Sequence, residues 1–435
     1  PPARRRLRAH ARRREMTVRD PRFDVLLEPV RIGPVTARNR FFQVPHCNGM
    51  GYRDITAHAG MRGIKAEGGW AVICTEQAEI HYSSEITPFI ELRIWDDADI
   101  PGIARIAERI HEGGALAGIE LCYNGMNGPN LYSRTAPMGP SHLPVATFTA
   151  DPVQARRMDL DDIADLRRWH RAAALRAKRA GFDIVYCYAG HGLSLPMHML
   201  SRRFNDRTDE YGGSLANRAR LLRELIEDTK EAVGDSCAVA VRLAVDELLG
   251  DDGITHHDEG RAIVELLAEL PDLWDVNVSD WSNDSATSRF AKEGYQEPYI
   301  ATVKSLTSKP VVGVGRYTTP EAMAAAVRRG LVDLVGAARP SIADPFLPEK
   351  IRAGRVEDIR ECVGCNICVS ADSKLVPIRC TQNPTMGEEW RRGWHPEQIA
   401  PRKSDAEVLV VAVWFVLVNL IVDVINLALD PRSRG

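Results

Sequence analysis

Residues 310–345 read PVVGVGRYTTPEAMAAAVRRGLVDLVGAARPSIADP. An apolar, β-branched run (310–314) leads into a stretch of helical periodicity (319–329), and a second apolar run (332–337) follows at once. Strand, helix and strand joined this tightly form a βαβ unit, whose two strands must lie parallel because the helix carries the chain back. Both strands end alike, in Gly313-Val314-Gly315-Arg316 and in Ala337-Ala338-Arg339-Pro340. Glycine admits close backbone approach and arginine supplies charge, which is what a phosphate needs at the mouth of a parallel barrel.

Working outward, runs of the same kind stand at 41–47, 70–76, 115–123, 182–188, 237–243 and 274–279, with helical periodicity at 161–180, 214–233 and 258–270. Eight strand-then-helix repeats over about three hundred residues predict an α/β fold, a (β/α)8 TIM barrel, in preference to an open doubly wound sheet. Chemistry in that fold sits where the strands end. Two long excursions, 124–158 and 190–213, are predicted to roof the site.

The bulk numbers exclude some classes. With 435 residues and 44% hydrophobic content the chain can bury a large core and carry additions. Its 56 basic and 59 acidic residues nearly cancel, but residues 1–15 hold seven arginines and one glutamate, leaving 49 against 58 in the rest. No nucleic-acid role is expected for the acidic body. Residues 1–15 have neither an apolar run nor a small-residue cleavage site, so they are expected to form a disordered basic leader, with Met16 just before the first foldable segment. Nine cysteines without paired spacing point to a reducing, cytoplasmic compartment.

Four of those cysteines crowd together past the barrel. Cys362-x2-Cys365-x2-Cys368 is followed by Cys380, in a segment rich in Gly, Pro and Trp that lacks the periodicity of a hydrophobic core. Three thiolates at three-residue steps and a distant fourth suit a 4Fe-4S cluster. Zinc is the rival, although structural zinc usually takes two separated pairs; scattered core cysteines are the third reading. Residues 408–429 are then almost unbroken apolar sequence of transmembrane length, interrupted by Asn419, Asp423 and Asn426 on one helical face.

Tyr188 and His191 follow the fourth strand, and Trp281 and Asp284 follow the sixth, so a barrel turns all four into one mouth. A carboxylate that orients an imidazole beside a phenol is a workable proton-handling trio. By spacing alone, a packed or hydrogen-bonded structural role is the favoured reading for each. Cys47 closes Val44-Pro45-His46-Cys47 at the end of the first strand, where a cysteine is by default a small hydrophobe. Arg242 on the fifth strand needs an anionic partner if buried.

Together these segments resemble the trimethylamine/dimethylamine/histamine dehydrogenase family, a branch of the Old Yellow Enzyme-like iron–sulfur flavoproteins, and most nearly its dimethylamine dehydrogenase type. The resemblance spans roughly residues 22–411. Its carriers are Val44 to Cys47, Lys65-Ala66-Glu67-Gly68-Gly69-Trp70, Arg207-Thr208-Asp209-Glu210-Tyr211-Gly212-Gly213-Ser214, Gly313 to Tyr317, Ala338 to Pro345, and the cysteines through Cys380-Thr381-Gln382-Asn383. It implies FMN covalently bonded to Cys47, with Val44, Pro45, His46, Glu120, Arg242, Gly315, Arg316 and Arg339 around the cofactor, the last two arginines on its phosphate. It also implies a catalytic trio of Tyr188, His191 and Asp284, and a 4Fe-4S cluster on Cys362, Cys365, Cys368 and Cys380. The implied partners are a small amine, an electron-transfer flavoprotein and a second copy in a homodimer.

The trimethylamine type boxes its substrate with aromatic rings. Here Trp281 persists, but Gln77 stands in place of a tyrosine, and the cysteine loop offers Asp372 where another aromatic is expected. A glutamine carbonyl accepts the N–H of a secondary amine, so dimethylamine is the expected substrate. Histamine, whose second polar end suits Asp372, is the competitor. Outside this branch the alternatives are an NADPH-dependent ene-reductase of the 2,4-dienoyl-CoA reductase type and an inactive membrane-tethered remnant.

The resulting expected organisation is a leader (1–15), an FMN-binding barrel (16–360), a cluster-binding segment (361–400) and a remainder (401–435). In the family a nucleotide-binding domain with a glycine-rich loop opens after Val408-Leu409-Val410-Val411; that loop is absent here. The tail instead resembles the last span of a peptide-type ABC transporter permease. A joining of two reading frames is the favoured expectation, over a membrane-anchored truncation.

Overall fold

The computed structural model describes residues 19–86, 91–144, 153–280, 291–372 and 376–398. The basic leader, Trp281, Asp284 and the apolar stretch 408–429 lie outside the described residues. Eight parallel strands close into a ring: β1 (Phe41–Gln43), β2 (Val72–Glu79), β3 (Leu116–Cys122), β4 (Ile184–Ala189), β5 (Ala238–Asp246), β6 (Leu273–Val278), β7 (Val311–Gly313) and β8 (Leu334–Gly336). Closure is made by β1, which pairs with β8 at Phe41↔Val335 and with β2 at Phe42↔Val72. Each strand is followed by a helix. These are α1 (Ile55–Glu67), α2 (Ile100–Glu112), α3 (Leu160–Arg179), α4 (Arg220–Val233), α5 (Glu259–Leu267), α6 (Glu297–Lys304), α7 (Pro320–Arg328) and α8 (Leu347–Arg352). The predicted (β/α)8 barrel is therefore the observed fold.

The helices form where apolar side chains recur on one face. In α4, Leu221, Leu222, Leu225, Ile226, Thr229, Ala232 and Val233 are buried while the opposite side carries charge. Caps set the starts: Asp159 and Asp162 form a capping box at the head of α3, and Thr319 caps α7.

The barrel is filled from below. An antiparallel hairpin, Val30–Ile32 with Val35–Ala37, precedes β1, and its Val30, Ile32 and Ala37 pack with Phe42, Ile184, Ala238, Leu273 and Leu334 inside the ring. Small and branched residues thus close the N-terminal end. Toward the C-terminal end the inward side chains become polar, and the ladders break register between Cys74 and Gln77 and between Ala244 and Asp246. Such bulges re-aim side chains at a barrel rim. Here they leave Gln77 paired with Glu120.

The cysteine-bearing segment belongs to the same compact unit, which runs to Glu397. Cys368, Ile378 and Met386 bury against Met50, Ala57, Met61 and Ile342. Ile378 N donates to the Asn48 carbonyl (2.9 Å), and Asn383 Nδ2 to the Ile342 carbonyl (3.0 Å). At the far end Lys350, fully buried, binds Asp344 (2.7 Å) and Glu397 (3.1 Å). Gly49 matters most for this docking. It sits at φ +70°, and a Cβ there would overlap the Val376 carbonyl. Gly49→Ala combines backbone strain with a backbone clash, so it should destabilise the fold by about 1–3 kcal/mol. Urea unfolding measures the loss; a midpoint equal to wild type would show that the two loops do not need this contact. Among the described residues no helix is long and apolar enough to cross a membrane.

Candidate active site

The polar mouth is organised around Arg242. It projects from β5 in register with Tyr188 on one side and Asp275 on the other. Its Nη1 donates to Glu120 Oε2 (3.1 Å) and to the Pro45 carbonyl (3.2 Å), Nε lies 3.9 Å from Asp275 Oδ2, and the guanidinium stands 5.9 Å from the Tyr188 ring centre. Burial opposes the charge, but Glu120 and Asp275 outweigh it and hold the guanidinium above its ordinary pKa. The carboxyls show the other side of the same balance. Burial pushes Asp275 up to about 7 against the pull of Arg242, and pushes Glu120 up likewise. The anionic partner that Arg242 requires is thus present twice.

Tyr188 Oη is hydrogen-bonded to His191 Nδ1, both residues being buried. Burial, then Glu120, pushes the phenol well above the ordinary tyrosine value, with Arg242 pulling the other way. The tyrosine therefore remains a neutral phenol through the neutral range. Burial in the low-dielectric mouth is what sets the phenol against ionising. His191 holds its ring there from a left-handed backbone, φ +58°, and pairs with Asp280 across the barrel rim.

At the end of β1 the chain turns out of the sheet at Pro45, which lacks the N–H needed to continue the ladder. His46 Nδ1 contacts the Cys47 carbonyl (2.7 Å), while Nε2 meets Lys65 Nζ (2.7 Å) and Arg62 Nη1 (3.0 Å). A carbonyl and two cations around one ring fix its state: Nδ1 carries the hydrogen and Nε2 accepts. Burial, reinforced by Lys65 and Arg62, holds His46 well below the ordinary histidine value. Arg62 also donates to Gln43 Oε1 (2.8 Å) and lies 3.8 Å from Glu76; Lys65 also donates to Ser341 Oγ (3.0 Å). This support was not predicted. Its signal is the spacing of His58, Arg62 and Lys65, at i, i+4 and i+7 on one face of α1.

At the other strand ends, Arg316 takes φ +54° and donates to the carbonyls of Ala291 (2.7 Å) and Cys362 (3.3 Å). Gly315 makes room for the Gly294 backbone. Arg339 opens a short helix (Arg339–Ala343), and its charge lowers the pKa of Cys362 and Cys368 against burial, which raises both. The Nε atoms of Arg242 and Arg316 are buried and make no hydrogen bond among the described residues. These two Nε–H groups, left over by guanidiniums that bond elsewhere through Nη, suit an acceptor on an anionic cofactor in the mouth.

Burial raises the pKa of Cys362 and Cys368; Cys380 adds to the rise at Cys362, and Cys362 and Cys380 add to it at Cys368. Cys365 is exposed, with Thr381 Oγ1 at 3.3 Å, and the Gln382 N–H donates to Cys380 Sγ (3.4 Å). Among the described residues no group of three or more His, Cys, Asp and Glu converges at metal-holding distance. Four thiols do not attract one another; metal bonds draw such a set together. The donor set, the backbone amide aimed at sulfur and the adjoining arginines fit an iron–sulfur cluster. Gln77 and Glu120 are buried in the mouth, whereas Asp372 ends the short helix Ile367–Asp372 and its side chain is outside the description.

A parallel barrel with an arginine on its fifth strand and others just past the ends of its seventh and eighth has the architecture of a flavin-binding oxidoreductase. The chain belongs to the NADH:flavin oxidoreductase / NADH oxidase family, whose model matches residues 25–358. It is 46% identical over 401 residues to dimethylamine dehydrogenase of Hyphomicrobium sp. (strain x), covering 90% of this chain and 54% of the relative. Among solved structures it is similar to histamine dehydrogenase from Rhizobium sp. 4-9 (57% identity, TM-score 0.85, 88% of this chain and 55% of that one). It is also similar to 6-hydroxypseudooxynicotine amine oxidase from Pseudomonas geniculata N1 (54% identity, TM-score 0.87, 89% and 58%). The chain spans about half the length of the curated relatives it matches.

Proposed function

We propose that this chain carries the catalytic centre of an FMN-dependent amine dehydrogenase, which oxidises a small amine and passes the electrons through a 4Fe-4S cluster to an electron-transfer flavoprotein. The observation that carries the reading is the Tyr188–His191 pair in the same buried mouth as Arg242, whose other hydrogen bond reaches Pro45, two residues before Cys47. FMN, when bound, supplies the two-electron acceptor for the carbon next to the amine nitrogen. Cys47 is its covalent anchor, Arg316 and Arg339 hold its phosphate, and Val44, Pro45, His46 and Glu120 line it. Arg242 offers positive charge to an electron-rich ring.

Tyr188, kept protonated, positions the amine nitrogen by a hydrogen bond, and His191, oriented by Asp284, exchanges the proton that must leave with it. Trp281 packs the alkyl groups, and the Gln77 carbonyl accepts the amine N–H. The imine product takes up water to give an aldehyde and a smaller amine. Cys362, Cys365, Cys368 and Cys380 hold the cluster, which supplies one-electron transfer outward.

Gln77 argues for dimethylamine. Histamine is the second reading, because the solved histamine dehydrogenase shares 57% identity with this chain and Asp372 suits a second polar end. The full chain, reconstituted with FMN, iron and sulfide, should bleach anaerobically on titration with one of these amines, and the more effective amine identifies the substrate. After acid precipitation wild-type protein should stay yellow, while Cys47→Ala releases its flavin to the supernatant. A wild-type pellet without colour overturns the anchor, and a spectrum indifferent to every amine overturns the activity.

A further inference from the structure

We propose that Asn127 and His198 are positioning residues for His191: they hold the Gly192 carbonyl and through it fix the left-handed turn that aims the imidazole at Tyr188. The inference rests on the reading of Tyr188 and His191 as the proton-handling pair. Two successive residues, His191 (φ +58°) and Gly192 (φ +65°), are left-handed. For histidine that conformation is disfavoured and persists only where its surroundings enforce it.

The enforcement comes from both sides. Asn127 Nδ2 donates to the Gly192 carbonyl, which His198 Nε2 meets at 2.8 Å; Asn127 Nδ2 and His198 Nε2 are themselves 2.9 Å apart. A carbonyl only accepts, and with two lone pairs it can take both donors, so His198 carries its hydrogen on Nε2. Burial pushes the His198 pKa down to about 4, so the ring stays neutral. It cannot readily swing away: a Cβ on Gly125 would come within 3.0 Å of its Nδ1, and Phe204 packs edge-on at 5.1 Å. Opposite, His191 pairs with Asp280, and a Cβ on Gly192 would stand 2.6 Å from Asp280 Oδ2. Asn127 comes from the loop after β3 and His198 from the helix Leu195–Leu200 after β4, so the two roofing excursions meet at this one carbonyl.

The side-chain hydrogen bonds of both residues go to the Gly192 carbonyl and to each other, while Tyr188 bonds His191. They act on the ring through one peptide group, and an ångström of misplacement there is enough to cost about a hundredfold in rate. The test uses the full chain loaded with FMN and labelled with 15N-histidine. The hydrogen-bonded proton between Tyr188 Oη and His191 Nδ1 should give a downfield resonance, assigned by its loss in Y188F. In N127A and H198A that resonance should shift or vanish, and amine-driven flavin bleaching should slow by about 100-fold. H198Q keeps a donor nitrogen near the position of Nε2 and should restore both. An unchanged resonance in N127A and H198A, or an H198Q variant that behaves like H198A, would overturn the clamp. A Y188F variant that bleaches at the wild-type rate would instead remove the pair's catalytic role, while the resonance still decides the clamp.

Discussion

Phenylalanine at position 188 is expected to slow amine-driven flavin bleaching by about a hundred- to a thousandfold, the range over which a positioned acid or base contributes. The change is narrow. The ring keeps its place on β4 and its approach to Arg242 at 5.9 Å, and only the hydroxyl that binds His191 Nδ1 is lost. Because burial and Glu120 push the phenol above the ordinary tyrosine value, any rate change that follows its ionisation should appear at a pH above that value in wild type and be missing in Y188F. Stopped-flow measurement at several pH values reads both effects. A Y188F rate close to wild type would end the assignment of this residue to the reaction.

Methionine in place of Arg242 is expected to cost about 3–5 kcal/mol of stability near pH 8, since it strands two buried carboxylates. The pH dependence separates this from simple loss of packing. Asp275 has a folded pKa of about 7, raised by burial above its unfolded 3.8, so in wild type its contribution is fully present below 3.8 and is lost as pH rises to about 7. Without the Arg242 charge the folded values of Asp275 and Glu120 rise further, and the loss continues to higher pH. The two stability curves should therefore lie close together in acid and diverge as pH rises through about 7. Urea unfolding at pH 5 and pH 8 measures this. Equal losses at both would mean that Arg242 fills space and nothing more.

The eight strands were legible because each core run is short, β-branched and bounded by turn residues. Their ends were less so, for two physical reasons. β1 was expected to run to Cys47 and stops at Gln43, because Pro45 cannot donate to a ladder. β2 and β5 were expected to stop at Glu76 and Leu243 but run on to Glu79 and Asp246, since polar residues at a barrel mouth keep pairing after the apolar run is over.

Strand-end position singled out Tyr188 and His191 as neighbours in one mouth, and their side chains do meet; the role came from the family resemblance. Arg62, Lys65 and His58 were passed over because charged residues on a helix ordinarily read as a solvated face. Only the tertiary structure shows that face turned inward onto His46. Asn127 and His198 gave no signal at all: each is one polar residue in a long loop, and what they share is a carbonyl, which sequence does not display.

The hairpin of Val30–Ile32 and Val35–Ala37 has a kinetic consequence. Among the described residues its side chains plug the N-terminal end of the ring, which leaves the C-terminal mouth as the face open to a ligand. On the proposed reaction, the products would leave by the face through which the amine enters, so accumulated product is expected to compete with fresh substrate for entry.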